Sequence, residues 1–145
     1  METRIGGTHA HAGWRGAAAG VPGAAVAALA RAFGARPADL VAAVGPSIGP
    51  CCYEVGDEVR EAMRGGALDG LDVEAWFTTG VRGRPFLDLW RATADQLEAA
   101  GVPRGRIHVS RLCTVTHSEA FYSYRSDGAG TGRMAAIVRM LKSEG

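Results

Sequence analysis

Residues 40–63 run Leu40-Val41-Ala42-Ala43-Val44-Gly45-Pro46-Ser47-Ile48-Gly49-Pro50-Cys51-Cys52-Tyr53-Glu54-Val55-Gly56-Asp57-Glu58-Val59-Arg60-Glu61-Ala62-Met63. The apolar run that opens them, closed by Gly45-Pro46, reads as a short buried strand. A turn-rich loop follows, and then Val59 and Met63 share one face of a short helix over 57–63. Working outward, Val21, Ala25, Leu29 and Phe33 recur at helical spacing and predict an amphipathic helix ending near Gly34. Downstream, Leu87, Trp90, Ala94 and Leu97 lay an apolar stripe on a helix over 88–100, with Gly101 at its C-terminal stop. Ile107-His108-Val109 alternates as a strand. Helices and strands interleave, so the fold class is α/β or α+β with a mixed sheet. Weaker alternation predicts the end of a strand over 8–12 running into a turn at 13–16, and a small strand near Trp76-Phe77. It also predicts an aromatic strand over 121–124 and a closing strand over 133–141. No repeat or linker interrupts the chain, which is expected to form a single domain over 1–145.

Composition narrows the classes further. The 145 residues are 47% hydrophobic and 21% charged, ordinary globular usage that excludes a disordered tail, a collagen-like repeat and a coiled coil. Folding at this size buries roughly 68–70% of the unfolded surface, enough for a core without disulfides. Sixteen basic residues face fifteen acidic ones, so no broad field exists to hold nucleic acid or an acidic membrane. The most apolar stretch, Gly16 to Ala32, is Ala- and Gly-rich with Pro22 inside it, and no run reaches the ~18–20 apolar residues of a membrane span. Met1-Glu2-Thr3-Arg4 lacks the cationic start and apolar core of a secretory signal. Three cysteines, an odd number, then read as reduced thiols in the cytoplasm.

Three clusters carry reactive side chains. In His9-Ala10-His11-Ala12-Gly13-Trp14-Arg15-Gly16, residues two apart on a strand face one way, so His9 and His11 can offer two imidazoles to one metal; the plainer alternative is two surface histidines at a turn. In Gly45 to Glu54, Cys51 and Cys52 are candidates for a nucleophile or a soft zinc ligand, against the alternative of small buried apolar residues. Cys113 and His117, four apart, form only a weak pair. In Phe121 to Gly128 with Thr131-Gly132-Arg133, the aromatics suit a packed strand face. Arg125 and Arg133, flanking a glycine turn, can grip a phosphate or carboxylate through their planar forks.

Together, His11-Ala-Gly-Trp-Arg-Gly16, Gly45 to Gly56, Leu87-Asp-Leu89, Leu112-Cys-Thr114, Phe121-Tyr-Ser-Tyr-Arg125 and Thr131-Gly-Arg-Met134 closely resemble the YfiH/PgeF family. Its members are also known as multicopper polyphenol oxidase or laccase-domain proteins and as purine nucleoside phosphorylases. The resemblance implies a cytoplasmic enzyme with a mixed-sheet αββα-type sandwich and one zinc ion, copper in the older oxidase description. It implies phosphorolysis of adenosine, inosine, guanosine and methylthioadenosine, with adenosine deamination in addition. Its partners are then a purine nucleoside and phosphate, with no nucleic acid and no membrane. The family's zinc is held by two histidines and a cysteine, of which His11 matches the last histidine. The other two ligands lie in Gln-Val-His and Thr-Ala-Asp-Cys segments that this sequence does not contain. Thr3-Arg4-Ile5-Gly6-Gly7 resembles the family's N-terminal Thr-Arg-x-Gly-Gly, so the chain is expected to join the family's start to its second half, or to be a fragment. Ser126 stands where the family's Tyr-Arg-Arg-Asp has its second arginine.

Three functions compete on these residues. The first is a zinc-dependent purine nucleoside phosphorylase, with metal at His11 (and His9), and with Arg15, Tyr122, Arg125 and Arg133 binding substrate. The second is a non-catalytic remnant or binding module of the same fold. The third is a cysteine-dependent hydrolase using Cys51 or Cys52 activated by His11. A site built from separated clusters requires Gly45–Tyr53 and Phe121–Arg125 to approach His11 in space. A rebuilt zinc site would take His9, His11 and one of Cys51 and Cys52; without that rebuild, well under one zinc per chain is expected.

Overall fold

The computed structural model describes residues 6–139. Helix α1 (Trp14–Ala18) leads through Gly20 into α2 (Val21–Phe33). Gly20 sits at φ 76, and a Cβ there would lie 2.7 Å from the Ala67 side chain, so only glycine fits this junction against the turn Gly66–Leu68. Pro22 occupies the first turn of α2, where its missing N–H costs nothing, and Gly34 closes the helix by donating its N–H to the Ala30 carbonyl at 2.9 Å. Strand β1 (Ala42–Val44), α3 (Asp57–Ala62), β2 (Phe77–Thr79) and β3 (Pro85–Leu87) follow. Then come α4 (Leu89–Ala99), β4 (Ile107–Val109) and the single turn α5 (Tyr124–Asp127). Asp88 caps α4, its carboxylate accepting the Arg91 N–H at 2.9 Å.

The expected mixed α/β class is what the chain adopts. β1 and β4 pair in parallel, Ala42 opposite Ile107 and Val44 opposite Val109, whereas β2 and β3 form an antiparallel hairpin. Both small sheets reach past their strands. Ser47 bridges Cys113 in parallel, giving its N–H to the Leu112 carbonyl and accepting from the Thr114 N–H, at 3.2 and 3.1 Å. Glu54 bridges Phe86, with Val55 donating to Pro85 and Leu87 donating to Tyr53. The loop 45–55 therefore ties one sheet to the other.

Helix α4 lies between two cores. Its Leu89 and Ala92 join Tyr53, Val55, Met63, Trp76 and Leu87, while Leu97 joins Val26 and Val102 beneath Ala42, Val44 and Ile107. Among the described residues no helix is long and apolar enough to cross a membrane.

Several local expectations change. Residues 8–11 are exposed and irregular, with no strand paired to them among the described residues, so the same-face argument for His9 and His11 loses its strand. The turn at 13–16 is helical. The strand near Trp76-Phe77 begins only at Phe77, since Trp76 ends a 3-10 turn (Val73–Trp76). Residues 121–123 are irregular and run into α5. There the Asp127 carboxylate accepts the Ser123 N–H at 3.0 Å and the Thr131 hydroxyl at 3.1 Å, closing a turn rather than extending a strand. Residues 133–139 are irregular in place of a closing strand, and 140–141 lie outside the described residues, as do Met1 to Ile5.

Leu87 is fully buried where the hairpin meets α4. Leu87→Ala is expected to cost about 2–5 kcal/mol through lost burial and the cavity left behind, whereas the fully exposed Val81→Ala should stay within about 0.5 kcal/mol; urea unfolding of both checks this.

Candidate functional site

Each of the three sequence clusters contributes residues to one cleft of about 320 Å³. Trp14 and Arg15 come from the start of α1, Tyr53 to Gly56 from the loop that ties the sheets, Arg84 from the β2–β3 turn and Arg125 from α5. Arg15 and Arg125 are held by stacking. The Arg15 guanidinium lies 4.3 Å from the Trp14 ring centroid and that of Arg125 lies 5.2 Å from the Tyr53 centroid. Arg125 also donates to the Glu54 carbonyl at 2.9 Å, and Arg84 approaches the Glu54 carboxylate at 3.4 Å. Burial pushes the Tyr53 phenol up, partly offset by the positive charges of Arg125 and Arg15, so the ring is neutral. Glu54 and Glu58 also line the opening, and with Arg84 paired to Glu54, Arg15 and Arg125 are the guanidinium groups that suit an oxyanion such as phosphate.

His11 is exposed and is not among the cleft-lining residues, although Trp14 and Arg15 of its motif are; His9 is likewise exposed. Tyr122 is 55% exposed and covers Gly132, while Arg133 is exposed outside the cleft. Of the expected substrate residues, Arg15 and Arg125 are brought together.

The second feature is a cluster of three cysteines. The sulfurs of Cys51, Cys52 and Cys113 all lie within 4.8 Å of one another, with Cys51 and Cys52 at 3.4 Å. The parallel pairing of Ser47 with Cys113 brings them together. Gly49, two residues on, donates its N–H to the Cys113 Sγ at 3.2 Å and accepts at its carbonyl from the N–H groups of Cys52 and Tyr53. Burial by itself pushes the Cys113 thiol up. Donation from the Gly49, Thr116 and Val115 N–H groups and from the Cys51 thiol outweighs this and brings it down to about 6. Burial pushes Cys52 the other way, up to about 12, with Cys51 and Cys113 adding to the rise. The cluster thus concentrates thiolate character on Cys113.

Cys113 is the residue that sequence reasoning passed over, because its partner there was His117. In the structure the His117 Nδ1 lies 3.0 Å from the Cys113 carbonyl. The signal that pointed to it was Leu112-Cys-Thr114 in the same family pattern as Cys51-Cys52. Among the described residues, the group of three or more donors able to hold a metal is this cysteine set; neither His9 nor His11 belongs to it. Among the described residues, those around His11 therefore do not assemble the two-histidine, one-cysteine set that the resemblance implies.

Residues 3–141 match the family model described as multi-copper polyphenol oxidoreductase laccase. The chain is 43% identical over 129 residues to a protein of Geobacillus stearothermophilus named purine nucleoside phosphorylase YlmD, covering 89% of this chain and 46% of that one. It is 38% identical over 132 residues to Escherichia coli purine nucleoside phosphorylase YfiH, covering 91% and 50% respectively. The crystal structure of a Bacillus licheniformis hypothetical protein YfiH superposes with a TM-score of 0.75 at 39% identity, over 82% of this chain and 44% of that one. The chain thus spans about half the length of the curated relatives it matches.

A thiol lowered from 9.0 to about 6 on folding contributes stability that is fully present above pH 9 and is lost as pH falls through 6. The reduced, metal-free protein should therefore lose stability from pH 9 to pH 6 more steeply than Cys113→Ser, as read from urea midpoints of the two at each pH.

Proposed function

Since the chain belongs to the multi-copper polyphenol oxidoreductase laccase family, the YfiH group, we propose that it serves purine nucleoside phosphorolysis through the cleft between α1, the loop 45–55 and α5. The observation that carries this reading is the arrival of Arg15 and Arg125, from two separated motifs, at one opening beside Arg84 of the β2–β3 turn. Relatives of the same family that carry the name purine nucleoside phosphorylase support it. In the reaction, an oxygen of hydrogen phosphate bonds to the anomeric carbon, the bond from that carbon to the purine nitrogen breaks, and the purine leaves with the proton that hydrogen phosphate gives up. Arg15 and Arg125 would hold the phosphate and keep its charge facing the sugar. Trp14 and Tyr53 would wall the cleft and exclude water.

Adenosine, inosine, guanosine and methylthioadenosine are the substrates that the resemblance supports, with adenosine deamination as a side reaction. Zinc, or copper, is the family's metal. Because the donors around His11 do not complete its ligand set, no step of the phosphorolysis is assigned to a metal there. A second reading is a module that binds nucleoside and phosphate in the same cleft without turnover.

The test is inosine with phosphate, followed by ribose 1-phosphate formation and by phosphate binding. Arg15 is exposed, so Arg15→Ala should fold normally. Losing its charge-assisted hydrogen bonds should weaken phosphate by about 10- to 100-fold. Phosphate affinity unchanged in both Arg15→Ala and Arg125→Ala would place the anion elsewhere. Wild-type binding without product would establish the second reading.

A further inference from the structure

We propose that Cys51, Cys52 and Cys113 form a binding site for one soft d10 cation, Zn²⁺ or Cu⁺, separate from His11. The site does not rest on the nucleoside reading. Three observations on this chain's own residues carry it.

The first is spacing. Thiolates bound to zinc at about 2.3 Å in a tetrahedral arrangement stand about 3.8 Å apart. The three sulfurs already span this value, from 3.4 Å between Cys51 and Cys52 to an outer limit of 4.8 Å. All three cysteines are free thiols. The widest separation exceeds the tetrahedral spacing by about 1 Å at most.

The second is the donor set. Every ligand atom is sulfur, which selects thiophilic cations over magnesium, calcium or manganese. Three protein ligands suffice for trigonal Cu⁺, or leave one open position on Zn²⁺ for solvent. Each thiol that coordinates releases its proton to water, so no oxidant or reductant is involved.

The third is support. Buried Cys113 is 3% exposed and receives the Gly49 N–H at its sulfur, the kind of outer contact that orients a ligand before the metal arrives. The Gly49 carbonyl closes the turn that carries Cys52. A Cβ at Gly49 would stand 2.6 Å from the Trp90 ring and 3.2 Å from the Cys113 Cβ, so the backbone is packed against both. Trp90 in turn donates its indole N–H to the Ser47 hydroxyl at 2.8 Å. One ligand is thus rigid and buried, while exposed Cys51 offers the entry path.

The experiment loads the full reduced chain with Zn²⁺ or Cu⁺, dialyses it and measures metal by elemental analysis. Affinity is read by competition with a colorimetric chelator for each ion, and Co²⁺ serves as the spectroscopic probe. One equivalent of zinc or copper is expected, whichever is retained identifying the ion, with a sulfur-to-cobalt charge-transfer band in the Co²⁺ form. Cys51→Ser, at an exposed position, should keep the wild-type circular dichroism and lose at least about tenfold in affinity, the lower bound for losing even an outer-shell contact. Cys113→Ser should lose the charge-transfer band; if it does not fold, Cys52→Ser takes its place. His9→Ala and His11→Ala should bind as wild type does. No retained equivalent of either ion, an affinity unchanged in Cys51→Ser, or metal lost in His11→Ala would each overturn the site. Because the readout is metal and not turnover, an inactive chain that holds one equivalent still supports the cysteine site while sinking the phosphorolysis reading.

Discussion

The absence of a side chain at position 49 is the constraint on which the rest of the molecule turns. Trp90 of α4 fills the space a Cβ would take, and the freed backbone sits against Cys113 with its N–H on sulfur. From that point the chain runs in two directions. Backward, Ser47 continues the parallel pairing of β1 with β4; forward, Tyr53 and Val55 enter the hairpin core. A larger residue would have to push α4 away from the loop, and α4 is the element both cores share. Sheet pairing, core packing and the grouping of the cysteines are therefore consequences of one close approach.

Charge is organised in two ways. Arg60, Arg64, Glu61 and Glu74 form an exposed network, and pairs of this kind contribute little to stability. Asp95 is more sheltered. It accepts from the Trp76 indole and from Arg104, both at 2.7 Å, and so anchors the largest buried side chain to α4. The cleft arginines differ again. Arg15 and Arg125 rest on aromatic faces, an arrangement that holds the planar group while leaving hydrogen-bonding edges open. The same residue type thus stands in distinct settings: exposed ion pairs, a sheltered carboxylate and aromatic faces.

Both long helices were legible in the sequence because their signals are local. The spacing of Val21, Ala25, Leu29 and Phe33 defines α2, and Gly34 and Asp88 mark a stop and a start within one turn of the elements they bound. An apolar run located β1 and alternation located β4, and their interleaving with helices pointed to the α/β class. Alternation failed at 8–12 and 121–124, where a strand pattern had no partner to pair with: a strand is stabilised by its neighbour, and a short segment does not say whether one is there.

Of the candidate site, the sequence by itself determined which residue types were present and, through the family motifs, which segments mattered. That Arg15, Tyr53 and Arg125 share a cleft, while Tyr122 and Arg133 do not, was decided by the tertiary structure. The same is true of Cys113. Its sulfur meets the Gly49 N–H across 64 residues, a contact created by the parallel register of two strands and by the packing of a tryptophan against a glycine. Periodicity and capping act over a few residues, whereas the distance between those sulfurs depends on how separate elements dock.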